Sequence, residues 1–288
     1  MGAAVALAAE VTPSDVYVQA ELIGQEIELV RRHYNVTAHN PVAPAEADLK
    51  YRHVWQKAYM ILVKLSVFRR KHGLAAFAPL ETEPEVSPDP RINWSQTQRI
   101  LTEIRIIKLF LDIPGEAGPV AKAEGKRPVD VFNKLNQIAY DMDALNGEAI
   151  AASAVYAEAI RINEDIDAIV RRTGTIDNAV PPARYPGAQP ADALVAAFGL
   201  MAEVQRLERR LGIATTDFSA FRKSENVVLA DVFNMIGMCL AELQLIKVQF
   251  GMKYNYTPPA EYVEGKSPAE VMQLLGYETS KLRLIAPR

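Results

Sequence analysis

The chain has 288 residues, 49% of them apolar, a formal net charge of −3 and a single cysteine, Cys239. Charge is nearly balanced in each half, so no basic field exists to neutralise phosphates, and nucleic acid is excluded as an expected partner. No apolar run reaches the roughly 18 residues of a transmembrane segment, and one cysteine rules out both an intramolecular disulfide and a covalent haem.

Residues 1–11, MGAAVALAAEV, read as a leader remnant or tag, because Ala6-Leu7-Ala8 before Ala9 has the form of a signal-peptide cleavage site. The expectation is a periplasmic or secreted protein. The alternative is a cytoplasmic chain with an Ala-rich helix extension.

Helices are predicted near 13–34, 47–72, 94–112, 128–146, 149–172, 190–211, 226–251 and 268–285. In the first, Val16, Ala20, Ile23, Ile27 and Val30 step by 4-3-4-3. Val131, Leu135, Ile138, Met142 and Leu145 repeat that step, as do Val155, Ala159, Ile162, Ile166 and Ile169. An apolar period of about 3.5 residues is the seam of a helix bundle. No comparable stretch alternates with period two, so the class is all-α. Pro at the first helical position with an acid two residues later starts several helices, as in Ser267-Pro268-Ala269-Glu270.

The second half rewrites the first. Residues 15–32 lie over 154–171, placing Ile23 on Ile162 and Glu26 on Asp165. Residues 102–110 lie over 241–249, placing Glu103 on Glu242 and Lys108 on Lys247, and EGKRP (124–128) returns as EGKSP (264–268). This is a tandem duplication. It predicts an antiparallel, up-down-up-down four-helix bundle over 12–147 and another over 148–288. Val16, Ile23, Ile27, Ile61, Leu65, Ile104, Ile138 and Met142 are expected in the first core. Val155, Ile162, Ile166, Leu200, Val204, Leu243, Glu278 and Leu282 are their counterparts. Glu278 is the misfit, expected to be partnered or displaced outward. The short NGE joint (146–148) is expected to bring the loop-free poles of the modules together.

The first and third connections of each copy are long for an antiparallel bundle, whose loops need only about 2–8 residues. They are therefore the candidate binding surface: Asn40 and Pro44 with Glu124, Gly125 and Lys126, and Asn178 and Pro182 with Glu264, Gly265 and Lys266. The four histidines, His33, His39, His53 and His72, read as scattered surface residues, and no metal site is assigned. Glu103 and Glu242 read as charges solvating the seam edge; an enzyme using them is the minor alternative. Without a Gly-rich phosphate loop or a nucleophile elbow, no catalytic residue or cofactor is assigned. The expected function is a non-enzymatic, exported binding or scaffolding protein with a protein partner. A small-molecule sensor or carrier, holding its ligand in the bundles, is the alternative.

Overall fold

A computed structural model describes residues 10–37, 42–75, 89–147, 150–257 and 260–285. Among them are eight helices and no strand: α1 (Pro13–His33), α2 (Tyr51–Lys71), α3 (Arg91–Phe110), α4 (Pro128–Asn146), α5 (Ala152–Thr173), α6 (Pro190–Arg210), α7 (Leu229–Gln249) and α8 (Pro268–Leu284). A short 3-10 turn, Ser219–Phe221, lies between α6 and α7. The leader-like stretch lies outside the described residues up to position 9, and Val11 already packs against the core.

The helix starts follow from the acids placed there. The Asp15 carboxylate accepts the Thr12 N–H at 2.8 Å, Asp130 that of Arg127 at 2.7 Å, and Glu270 that of Ser267 at 3.0 Å. Each satisfies an N–H that the helix leaves without a partner. Gly147, at φ 67, ends α4 in the left-handed conformation that glycine adopts without strain.

Helices α1 to α4 pack together, as do α5 to α8, giving two four-helix bundles in tandem. Their direction differs from the sequence expectation: within a module all four helices run parallel. Along α1 and α4, Ser14 meets Lys126 at 3.2 Å, Glu21 meets Lys134 at 2.7 Å and Arg31 meets Asp141 at 3.4 Å. Along α2 and α4, Lys57 meets Asn136 and Lys64 meets Asp143. Along α2 and α3, Tyr51 meets Asn93 near the starts and Arg69 meets Glu103 near the ends. Module 2 keeps this register: Ser153 meets Lys266 and Asn163 meets Lys281, while Glu203 meets Arg283.

Parallel neighbours explain the long connections. A helix of about 20 residues is ~30 Å long, and the chain must retrace that length before the next helix begins. A connection such as 111–127 can do so, since about 17 extended residues reach ~55 Å. It returns along α1: Gly115 lies against Leu29, the Ala117 N–H reaches Glu26, Lys122 reaches Asp15 and Lys126 reaches Ser14. Connection 34–50 returns along α4, with Val42 bonded to Gln137 and Ala45 to Asn133. In module 2, 174–189 returns along α8 and 250–267 along α5. These connections are straps along the flanks, where the sequence reading placed loops at one pole.

Parallel packing aligns the helix dipoles, an arrangement that favours acids at the starts and bases at the ends. Asp15, Asp130, Asp192, Asp231 and Glu270 stand in first turns. Arg31, Arg32, Arg69, Arg70, Arg171, Arg172, Arg209 and Arg210 stand in last turns.

The modules meet flank to flank through α2 and α7 rather than through their poles. Arg52 and His53, at the start of α2, contact Glu242 near the end of α7, and Gln56 lies against Gly237. The two modules are therefore antiparallel to each other, and their aligned dipoles oppose. Among the described residues α7 is the one helix long and apolar enough to cross a bilayer, and most of that apolar stretch is buried inside the fold.

The predicted core residues of both copies are buried. Ile27 lies in the first core beside Leu65, Ile104 and Met142. Ile27→Ala is expected to lower stability by about 2–5 kcal/mol, read from denaturant midpoints. A loss under about half a kcal/mol would be inconsistent with this packing.

Candidate functional site

The most heavily charged buried region is the seam around α2. His53 is fully buried, and its two ring nitrogens have separate tasks. Nδ1 accepts the Lys50 N–H at 2.9 Å as part of the α2 cap, so the ring hydrogen is on Nε2, which donates to Glu242 at 2.7 Å. A charged imidazolium would turn Nδ1 into a second donor facing Lys50. Burial likewise pushes the His53 pKa below its ordinary value, although Glu242 pulls the other way. Arg52 adds a two-pronged pair to the same carboxylate, Nη2 donating to its two oxygens at 2.8 and 3.0 Å and Nε to one of them at 3.2 Å. Burial would raise the Glu242 pKa, but His53 and Arg52 outweigh it and hold the group ionised, at about 2.

Glu242 corrects the sequence reading, since it is fully buried and does not solvate an edge. Its counterpart Glu103 pairs with Arg69 inside module 1. At the position matching Arg69, module 2 has Glu208, an acid instead of a base. The cation of Glu242, Arg52, comes instead from module 1. Glu208 is buried, neither of its oxygens has a hydrogen-bond partner among the described residues, and its carboxyl feels the charges of Glu242, Arg52 and Arg209. Burial, reinforced by the charge of Glu242, pushes its pKa up to about 9.

Further along the seam, Tyr59 stacks on Trp55, donates to Glu158 and lies under the Arg161 guanidinium at 4.8 Å. Lys57 is buried with Asn136 as its hydrogen-bond acceptor at 2.8 Å and the Phe132 ring at 5.0 Å. Burial, with the charge of Lys64, lowers its pKa to about 7.

Two buried ion pairs occupy matched positions. Glu26 pairs with Lys108, and Asp165 pairs with Lys247 at 2.6 Å. Both hold straps: Lys108 donates to the Gly115 carbonyl and Glu26 accepts from Ala117, while Thr257 bonds both Asp165 and Lys247. Burial alone would raise the Glu26 pKa; the bonds from Lys108 and Ala117 bring it below its ordinary value.

The loop residues singled out from the sequence are divided by this topology. Lys126 and Lys266 stand over the Tyr17 and Tyr156 rings at 4.2 and 4.5 Å, and their N–H groups bond Ser14 and Ser153. Retention of the lysine in both pentapeptides thus has a structural cause. Gly125 and Gly265 take φ values of 77 and 75 in the turn before the helix. Glu124 and Glu264 are exposed. Pro44 and Pro182 lie on flanking straps, Pro182 so close to α8 that a Cβ on Gly276 would stand 2.9 Å from its ring. Asn178 is exposed on the same strap as Pro182, and Asn40 lies outside the described residues. The straps of the two modules do not form one pole surface.

Two more expectations change. His53 is a buried joint residue; His33 and His72 gather around Tyr34 at the other end of module 1, and His39 lies outside the described residues. Glu278 is buried with no hydrogen-bond partner for either oxygen, neither partnered nor displaced, and burial raises its pKa well above the ordinary range. Cys239 is buried, with its thiol pKa pushed up by burial and by nearby Glu278, Glu242 and Glu208. Among the described residues no group of three or more His, Cys, Asp or Glu side chains is arranged to hold a metal ion. No family model, curated protein or solved structure matches the chain.

Proposed function

We propose that the protein is a non-enzymatic binding or scaffolding protein, and that it engages a protein partner through the straps of module 2. The observation that carries this reading is the display of apolar side chains on those straps. Ile176 is 84% exposed and Val180 76% exposed on strap 174–189, with Tyr185 beside them; Tyr254 is 73% exposed on strap 250–267. The backbone beneath is fastened, by Gln273 to the Pro182 carbonyl, by Arg184 to Glu270 and by the Asp165–Lys247–Thr257 network. Exposed apolar groups on an anchored segment suit recognition, because little ordering entropy is lost on binding. Asn178 and Pro182 belong to the first of these straps, and Glu264, Gly265 and Lys266 to the second. Three of the buried acids fit the same reading: Glu26, Asp165 and Glu242 are each engaged in fastening a strap or the seam.

The test is co-purification from the native host with wild type and with a variant carrying Ile176→Ser, Val180→Ser and Tyr185→Ser. Loss of a partner that Lys126→Glu with Lys266→Glu still retains supports strap recognition. Retention by the triple variant, with loss after a change on the exposed helix face at Val195, would make the straps structural only.

A further inference from the structure

Glu208 has no structural task comparable to the other buried acids. It caps nothing, accepts no side-chain hydrogen bond and pairs with no cation at contact distance among the described residues. From α7 the titratable groups around it are Glu242 and the Cys239 thiol, from α2 Arg52 and on its own helix Arg209, while α8, packed on α6, brings the buried Glu278 to the same thiol. Behind Glu242 stands His53, whose two nitrogens are already engaged.

We propose that the seam between the two modules is a proton-held clasp, closed while the Glu208 carboxyl keeps its hydrogen and released when that hydrogen is removed. With the hydrogen in place, the buried pocket holds one carboxylate, Glu242, and one guanidinium, Arg52, which balance. Without it, two carboxylates share one guanidinium, because His53 cannot take up the proton without opposing the Lys50 N–H. Like charges in a low-dielectric site repel strongly, and the relief nearest at hand is water entering along α2 and α7. Arg52 is at the margin of the pocket, with its side chain 17% exposed, so the seam is closest to solvent there. Module 1 is built without this liability: its matching pair, Arg69 and Glu103, is a salt bridge inside one module. The acid in module 2 makes closure of the joint depend on protonation, and with Glu208 titrating near 9 the release is alkaline.

The experiment uses the full chain in a Trp94→Phe background, leaving Trp55 as the seam reporter, from pH 7 to 10.5 at constant ionic strength. Small-angle scattering follows module separation, acrylamide quenching follows Trp55, and far-UV circular dichroism follows helix content. The expected result is a rise in radius of gyration and in Trp55 quenching centred near pH 9, with helix content unchanged. Glu208→Gln, which keeps the shape and cannot ionise, is expected to lose that transition. Should Glu208→Gln fail to fold, Glu208→Arg, which recreates the module 1 pairing, is expected to lose it instead. The proposal is overturned if the wild type keeps its radius and quenching to pH 10.5. It is equally overturned if the transition survives in the folded variant, or if it coincides with loss of helix, the signature of the Glu278 core ionising instead.

Discussion

Replacing Lys247 by methionine lowers the stability of the protein by about 3–5 kcal/mol, because it leaves the Asp165 carboxylate buried without its cation. Asp165 and Lys247 are both enclosed, and Thr257, the third member, belongs to the strap that returns along α5. The loss should therefore appear in two measurements: a reduced denaturant midpoint, and faster hydrogen exchange over residues 253–257 than over α5 itself. Lys108→Met should act likewise on strap 111–127, where Lys108 holds the Gly115 carbonyl and Glu26 holds the Ala117 N–H. Replacing both Asp165 and Lys247 with apolar residues of similar size is expected to cost much less than either single change. If the single Lys247→Met variant melts within about half a kcal/mol of wild type, the pair is not buried as described.

The second large effect has the opposite sign. Glu278→Leu stabilises the protein by about 1–3 kcal/mol at neutral pH, since it removes a buried carboxyl with no partner. The first copy has Ile138 at the matching position, so the cavity admits a branched aliphatic side chain. The pH dependence follows from linkage. Glu278 titrates at an ordinary 4.5 in the unfolded chain and well above that in the folded one. Between these limits the folded protein holds a proton that the unfolded chain has released, so the contribution of Glu278 to wild-type stability declines as pH rises above about 4.5. Below that value both states are protonated and the linkage contribution is fully present. The advantage of Glu278→Leu should therefore widen from pH 4.5 to pH 8, measured as the difference in urea midpoints. A variant less stable than wild type at pH 8 would contradict the described burial.

The helices and their buried faces were legible because both are local. The 4-3-4-3 steps of Val16–Val30 and Val155–Ile169 place one apolar stripe on each helix, and Pro with a following acid marks where several helices begin. The duplication was legible as well, and it identified Glu26 with Asp165 and Lys108 with Lys247. What could not be read was helix direction. Apolar stripes look the same in parallel and antiparallel bundles, and only strap length and end-charge bias carried a hint. In an antiparallel bundle straps of that length imply use, whereas retracing a parallel helix requires them. The seam was hidden for a related reason. The contact of Arg52 and His53 with Glu242 joins positions roughly 190 residues apart and belongs to neither copy alone. One signal was available: setting Arg69 against Glu208 replaces the base next to an acid by a second acid, leaving Glu242 in need of a distant cation.

The opposed direction of the modules also decides how the molecule bears tension. Helix α1 begins at the start pole of module 1 and α8 finishes at the end pole of module 2, and the flank-to-flank packing places these poles on the same side. Arg52 and Glu242 lie at that side of the seam, since α2 begins there and α7 ends there. A pull applied between the outer ends of α1 and α8 thus peels the seam open from the edge where its strongest ionic contact is placed. The contacts of Arg52 and His53 with Glu242 lie at that edge and are the ones that oppose its opening.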